Sequence, residues 1–450
     1  LPPKPDTAVI LAAGEGSRLA HQGYAKPLLP LLGVPLLERS IRCLMAAGIR
    51  RIVVVCGHRG EEVAAFAKAL GHRIDADLHV IRHQRWRGGN GSSALAAKPA
   101  VNGTFLMVMC DHLFGPEMLS RLMRSRVPKG GLVLAVDGDL RNRLVDMEDV
   151  TRVRRCNGDI KAIGKELDDF DAFDTGAFLC TQGVFAALSA AVEANEGSLS
   201  AAVTRLAEKG KAATLDVNGS FWMDVDDEAA IGRAEQAMMA RLRGKSSDGP
   251  VSRWLNRPLS IRISRRLVEQ RLSPNHISVA GFAIAVVAAW LLAQPSYAWL
   301  LLGGLLAQLT SIVDGCDGEV ARLKLLGTAY GAWFDAVLDR YADAMLLFGL
   351  TWHAAYADLA GGVGWFSGAA AIMGAFGNSY TAPRYDDWMR RTGKTHRFRM
   401  GRDVRIFLLM LGALFDQALG LLILIAVITN LENMRRLWLL RNEPGDMPPV

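Results

Sequence analysis

Past residue 274 the chain turns into apolar runs, HISVAGFAIAVVAAWLLA and YAWLLLGGLLAQL among them, and inside such sequence stand Asp314, Asp317, Asp335 and Asp339. A helix in lipid satisfies its own backbone but leaves side chains without water, so each aspartate at bilayer depth costs about 2.5–3.5 kcal/mol on the mildest scale. Carboxylates placed this way need cations. Asp314 and Asp317 are three residues apart and Asp335 and Asp339 four apart, which puts each pair on one helix face. Glu319 to Gly331, carrying Arg322, Lys324 and Gly327, reads as a cytosolic bend, so two antiparallel helices bring the pairs together. Oxygen-only ligands favour Mg2+, with Mn2+ the alternative, and two ions about 4 Å apart suit displacement at phosphorus. Gly315, Gly318 and Gly331 leave room for a diphosphate.

With 450 residues, half of them hydrophobic, two domains are expected. Residues 1–245 read as a soluble α/β head, 246–273 as linker and amphipathic juxtamembrane helix, and 274–450 as a polytopic membrane domain. Spans are expected near 276–294, 297–313, 332–352 and 361–380, with a hairpin over 404–431 broken at Asp416-Gln417. The break between domains is placed in GKSSDGP, 244–250. LPPKPDTAVILAAG opens straight into a strand without a signal-peptide pattern, which places the head in the cytosol.

The net charge of +7 does not point to nucleic acid, because Arg253, Arg257, Arg262, Arg265, Arg266 and Arg271 crowd the approach to the first span. That is the positive-inside pattern of an inner-membrane protein with its aspartate end on the cytosolic side. Val251, Leu255, Leu259, Ile263 and Leu267 recur every four residues between those arginines and predict an apolar face for membrane or domain packing. The six scattered cysteines lack CxxC spacing and read as free thiols.

In the head, the strand Ala8-Val-Ile-Leu runs into AAGEGSRL and then Lys26-Pro27. Gly14 and Gly16 let backbone amides approach a triphosphate, while Arg18 and Lys26 supply charge for the leaving pyrophosphate. Asp111 follows the apolar run TFLMVMC, at a strand's C-terminal end, where open α/β sheets bind ligands. Trp222-Met-Asp224-Val-Asp226 offers two further carboxylates, and the sequence does not choose between them. His58 and His112 read as structural.

The string D-x2-D-G-x2-A-R-x8-G-x3-D-x3-D, filled by Asp314, Asp317, Gly318, Ala321, Arg322, Gly331, Asp335 and Asp339, resembles the CDP-alcohol phosphotransferase family. The resemblance implies Asp314, Asp317 and Asp335 as ligands of two Mg2+, Asp339 as ligand or base, and about six transmembrane helices in a membrane homodimer. Asp343 lies outside the motif and is expected to pair with an arginine or line the cavity. Ser273-Pro-Asn275-His resembles that family's nucleotide-edge motif. Arg402 and Arg405, in Gly401-Arg-Asp-Val-Arg405, are the expected cradle for an acceptor phosphate, among a group with Arg384, Arg397 and Arg399.

LAAGEGSRL with its KP resembles the sugar-phosphate nucleotidyltransferases. That implies a Rossmann-like α/β head holding one Mg2+ at Asp111 with Asp224 or Asp226, Asn90 and Ser92 near the base, and Lys165 and Asp174 at the acceptor. MCDHLF and IGKELDDFDAFDTGAF narrow the likeness to inositol-1-phosphate cytidylyltransferases. Over nearly its whole length the chain resembles fusions that make CDP-inositol from CTP and inositol 1-phosphate and then join it to a second inositol 1-phosphate. The rival expectations are a phospholipid synthase drawing on CDP-diacylglycerol with a degenerate head, and a non-enzymatic membrane sensor.

Overall fold

The structure, a computed structural model, describes residues 5–243, 249–270, 272–357, 359–392 and 401–441. Most of the expected break, 244–248, lies outside these residues, as do Arg271, Arg397 and Arg399. Two compact units divide at Met238 and Met239.

In the first unit come β1 (Thr7–Ala12), the small hairpin of β2 (Pro30–Leu31) and β3 (Val34–Pro35), α1 (Leu36–Ala46), β4 (Arg51–Cys56), α2 (Gly60–Ile74), β5 (Asp77–Arg82), α3 (Asn90–Ala96) and β6 (Phe105–Met109). Then follow β7 (His112–Phe114), α4 (Pro116–Leu122), β8 (Leu132–Asp137), β9 (Arg152–Cys156), β10 (Asp159–Gly164), β11 (Ala172–Cys180), α5 (Val184–Glu193), α6 (Leu199–Ala207), β12 (Ala212–Asp216), β13 (Trp222–Asp224) and α7 (Glu228–Ala240). The nine-stranded sheet has the order β5-β4-β1-β6-β11-β8-β12-β10-β9. Its first four strands are parallel, and β11 enters antiparallel between β6 and β8. Ala8 and Ile10 of β1 pack into one core with Ile52 and Val54, while Val9 and Leu11 join Val53 and Val55 in the other. With both faces buried the strand is apolar at every position, which is why VILA and IVVV read as runs rather than alternations.

That burial sets thiol reactivity. Burial pushes Cys43 up to about 12 and raises Cys110 and Cys180, whereas Cys156 is exposed. Alkylation of the native protein at pH 8 followed by peptide mapping should label Cys156 and leave the other three until denaturant is added.

In the second unit a π-helical turn, Ser252–Asn256, leads into α8 (Arg257–Val268). Six more helices follow: α9 (Pro274–Leu292), α10 (Tyr297–Leu323), α11 (Ala329–Tyr356), α12 (Gly361–Thr392), α13 (Arg402–Leu414) and α14 (Ala418–Leu440). The expected hairpin turns between α13 and α14, where Asp416 takes φ 54°. Among the described residues, three helices are long and apolar enough to cross a membrane: α9, α10 and α14. Three of the six expected spans meet that measure. α11 carries Asp335, Asp339, Arg340 and Asp343. α12 mixes glycines with a polar C-terminal third and Pro383. α13, at 13 residues, reaches only about 20 Å at 1.5 Å per residue.

The juxtamembrane helix differs from its reading. The face it buries carries Asn256, Ser260, Ile261, Ser264 and Val268, whereas Leu259 is exposed and Leu255, Ile263 and Leu267 are half-buried. A polar stripe is buried because α10 presents Glu319 to it. Glu319, 0% exposed, accepts from Arg257 Nη1, Ser260 Oγ and Ser264 Oγ, each at 2.7 Å. The bend is corrected as well: α10 stays helical through Leu323, so the turn is confined to Lys324–Thr328. Lys324 Nζ closes it by donating to the carbonyls of Gln270 and Leu272. Breaking a buried ion pair from one side costs about 3–5 kcal/mol. Arg257→Met should therefore lower the thermal midpoint in detergent sharply, and the double variant with Glu319→Leu should recover much of the loss.

Candidate active sites

The head site begins with a pairing remote in sequence. Chain leaving β6 passes Cys110 and Asp111 into β7, and β7 pairs antiparallel with β13 so that His112 lies opposite Asp224. Val225 N donates to Asp111 O at 3.1 Å, which sets Asp111 beside Asp224 and Asp226 although over a hundred residues separate them. Trp222 Nε1 and Asn142 Nδ2 both donate to Asp137 Oδ2 at 2.8 Å and brace the segment.

Lys26 comes from the other side. Its Nζ is 2.5 Å from Asp111 Oδ2 and also bonds Asp226 Oδ1. Gly16, at φ 63°, lies against the Lys26 stem, where a Cβ would approach Lys26 Cβ to 2.6 Å. Gly16 thus admits the lysine, while Gly14 borders open space. Burial opposes the charge on Lys26, but Asp111, Asp226 and Asp224 outweigh it and raise its pKa. Burial also pushes Asp224 up to about 8, helped by Asp111 and Asp226. His112, reached by Asp224 and Asp111, rises to about 9 against its burial. His112 is therefore no bystander: its Nδ1 is 3.1 Å from Asp111 Oδ1 and 3.5 Å from Asp224 Oδ1, and Gly176, at φ 76°, lies where a Cβ would strike its ring.

A cavity of about 180 Å³ opens over this cluster, lined by Asn90, Asp149, Lys165, Asp174, Asp226 and Arg233 among others. Asn90 lines it while its Oδ1 accepts from Leu199 N at 2.8 Å. Ser92 shares a hydrogen bond with His83 at 2.8 Å and is not in the lining. Asp174, which burial pushes up to about 6, accepts from Gly176 N at 2.7 Å. Asp149 escaped the sequence reading, since nothing in its spacing ties it to Arg18 and Lys165, both of which it binds.

The second cluster lies between α10 and α11. Carboxylate oxygens of Asp314, Asp335 and Asp339 all lie within 4.8 Å of one another. Asp317 meets Asp335 side chain to side chain and accepts from Ser278 of α9. Arg402, at the start of α13, reaches in with Nη1 at 2.8 Å from Asp314 Oδ2 and 2.9 Å from Asp339 Oδ1. Its Nε binds Asp343 Oδ1 at 2.8 Å. Arg405 also binds Asp343, at 2.8 Å, and is 5% exposed, so its guanidinium already has a partner. Gly315 lies 3.3–3.4 Å from Ser260 and Arg257 by its missing Cβ and so admits α8, Gly318 faces Arg322, and Gly331 lies near Asn275 Oδ1 and Thr328. Ala321 O accepts from Leu326 N at 2.9 Å in the turn. Arg384 lies on α12.

Both clusters fit divalent cations. Asp224 Oδ1 is buried, 3.5 Å from His112 Nδ1 and, among the described residues, without a hydrogen bond, an acceptor with capacity for a cation. In the membrane unit a guanidinium stands among the carboxylates that a metal would otherwise join.

Residues 8–168 match the MobA-like NTP transferase domain and residues 271–431 the CDP-alcohol phosphatidyltransferase family. A bifunctional IPC transferase and DIPP synthase of Rubrobacter xylanophilus is 39% identical over 437 residues, covering 96% of both chains. The chain belongs to the bifunctional IPC transferase and DIPP synthase family. Its relatives of that name in Aquifex aeolicus, 34% identical over 98% of this chain and all of that one, and Thermococcus kodakarensis, 32% identical over 96% and 95%, are also full-length matches. As an IPC transferase and DIPP synthase family member, the chain is a transferase with a nucleotidyltransferase domain and a CDP-alcohol phosphotransferase domain. Each acidic cluster lies within one of the two matched stretches or, for Asp224 and Asp226, is brought to it by β13.

Proposed function

We propose that the chain carries out two transfers in succession: CTP and inositol 1-phosphate give CDP-inositol and pyrophosphate, and CDP-inositol with a second inositol 1-phosphate gives di-myo-inositol phosphate phosphate and CMP. The observation that carries this reading is the pair of carboxylate clusters, one in each unit, each with a cation reaching into it.

In the head, a phosphate oxygen of inositol 1-phosphate attacks the α-phosphorus of CTP. Lys26 and Arg18 hold the charge that passes to pyrophosphate, and Lys165 and Asp174 orient the acceptor. In the membrane unit, Asp339 takes the proton from an acceptor hydroxyl as its oxygen attacks the inositol-bearing phosphorus of CDP-inositol and CMP departs. Arg402 leaves its carboxylates for the acceptor's phosphate. Asp111 with Asp224 or Asp226 would hold one Mg2+ and Asp314, Asp317, Asp335 and Asp339 two more, which would supply positive charge to neutralise the leaving group.

We propose six spans, α9 to α14, in an inner membrane, dimerised through this unit, with both sites cytosolic. The exposed Val287, Trp290, Phe348, Trp352 and Phe366 support a lipid-facing surface or a second copy. The exposed arginines 253, 262, 265 and 266 support the orientation. Product stoichiometry tests the chemistry: one pyrophosphate and one CMP per diester are expected. Pyrophosphate release without CMP, or CMP release that requires CDP-diacylglycerol, would sink the reading.

A further inference from the structure

Asp149 Oδ2 is 2.9 Å from Arg18 Nη1, and Asp149 Oδ1 is 2.6 Å from Lys165 Nζ. One carboxylate thus gathers a cation from the glycine loop and a cation from the end of β10. The three side chains differ in freedom: Asp149 is 19% exposed, Arg18 56% and Lys165 58%. Its backbone is fixed too. Asp149 N and Val150 N donate to Asp146 O at 3.3 and 2.9 Å, and Asp174 N donates to Thr151 O at 2.9 Å. An anchored anion therefore holds two long, exposed cations. It stands near Asp224 and Asp226, with oxygens of all three within 4.8 Å of one another.

We infer that Asp149 is a positioning residue that stands in for substrate phosphate: it holds Arg18 and Lys165 while the site is empty, yields them to the phosphates of nucleotide and acceptor, and takes them back as pyrophosphate leaves. The inference rests on the cytidylyl-transfer reading above. Two effects compete if its charge is removed. Losing the anchor costs the two cations their pre-set positions, and for ion pairs as exposed as these that loss is small. Losing a fixed negative charge a few ångströms from incoming phosphates removes a repulsion felt by every charge on the polyphosphate. The second effect wins, and anions bind more tightly.

Calorimetry on the full chain in detergent, at fixed Mg2+, tests this. Asp149→Asn and Asp149→Ser should each bind pyrophosphate and CTP about tenfold more tightly than wild type, with lower KM for both substrates and stronger product inhibition by pyrophosphate. Asp149→Glu keeps the charge and should stay within about threefold. A role in folding or metal ligation alone would spare or weaken binding. Unchanged or weaker pyrophosphate binding in variants that melt like wild type overturns the inference, and so does weaker binding in a variant that melts early. The titration needs no turnover: a wild type that releases no pyrophosphate from CTP and inositol 1-phosphate would contradict the cytidylyl-transfer reading and leave the binding comparison to decide this one.

Discussion

An Asp339→Asn chain should make CDP-inositol and stop there. Asparagine keeps the volume and one hydrogen-bond acceptor but removes the base and one anionic ligand, in a site where Asp314 and Asp335 oxygens lie within 4.8 Å. Loss of a general base and of charge on a metal costs about a thousandfold together. The head's carboxylates belong to another unit, so pyrophosphate release should persist at wild-type rate while CDP-inositol accumulates, read by chromatography of the nucleotides. Asp343→Asn provides the contrast. Asp343 is the partner of Arg402 and Arg405 and not one of the clustered three, so its loss should lower stability more than it lowers the second transfer. Equal loss of both half-reactions in Asp339→Asn would contradict separate sites.

The converse is expected of Lys26→Ala. Asp111, Asp224 and Asp226 hold the Lys26 ammonium charged against its burial, ready for the leaving pyrophosphate, and without it the first transfer should fall by about 100- to 1,000-fold. Conversion of supplied CDP-inositol to diester should continue at wild-type rate. Lys26→Arg should not restore the first transfer, because the ammonium is a compact point charge held between Asp111 and Asp226, which a longer, planar guanidinium does not reproduce. A Lys26→Ala chain that still forms CDP-inositol at wild-type rate would remove the residue from the chemistry.

What could be read in advance was whatever the helix period or a glycine turn writes into local spacing. Asp314, Asp317, Asp335 and Asp339 announce a shared face by their intervals of three and four, and three of them do converge. Glu319 sits two residues past Asp317, about 200° further round the helix, and so could not belong to the same cluster. That offset was the available sign of a second polar contact, answered by Arg257, Ser260 and Ser264 of α8. The apolar stripe of α8 was misleading for the same reason: which face a helix buries depends on what its neighbour offers. Asp149 and His112 were illegible because their partners come from segments distant in the chain, and a register such as His112 opposite Asp224 leaves no mark in either segment alone.

The central claim is that one chain makes a water-soluble CDP-polyol and spends it at a membrane-embedded site. The direct measurement supplies membranes containing the protein with CTP, Mg2+ and labelled inositol 1-phosphate, without CDP-diacylglycerol, and partitions the product between water and organic solvent. Label is expected in the aqueous phase as the diester. Label that enters product only when CDP-diacylglycerol is added, and then in the organic phase, would contradict the account.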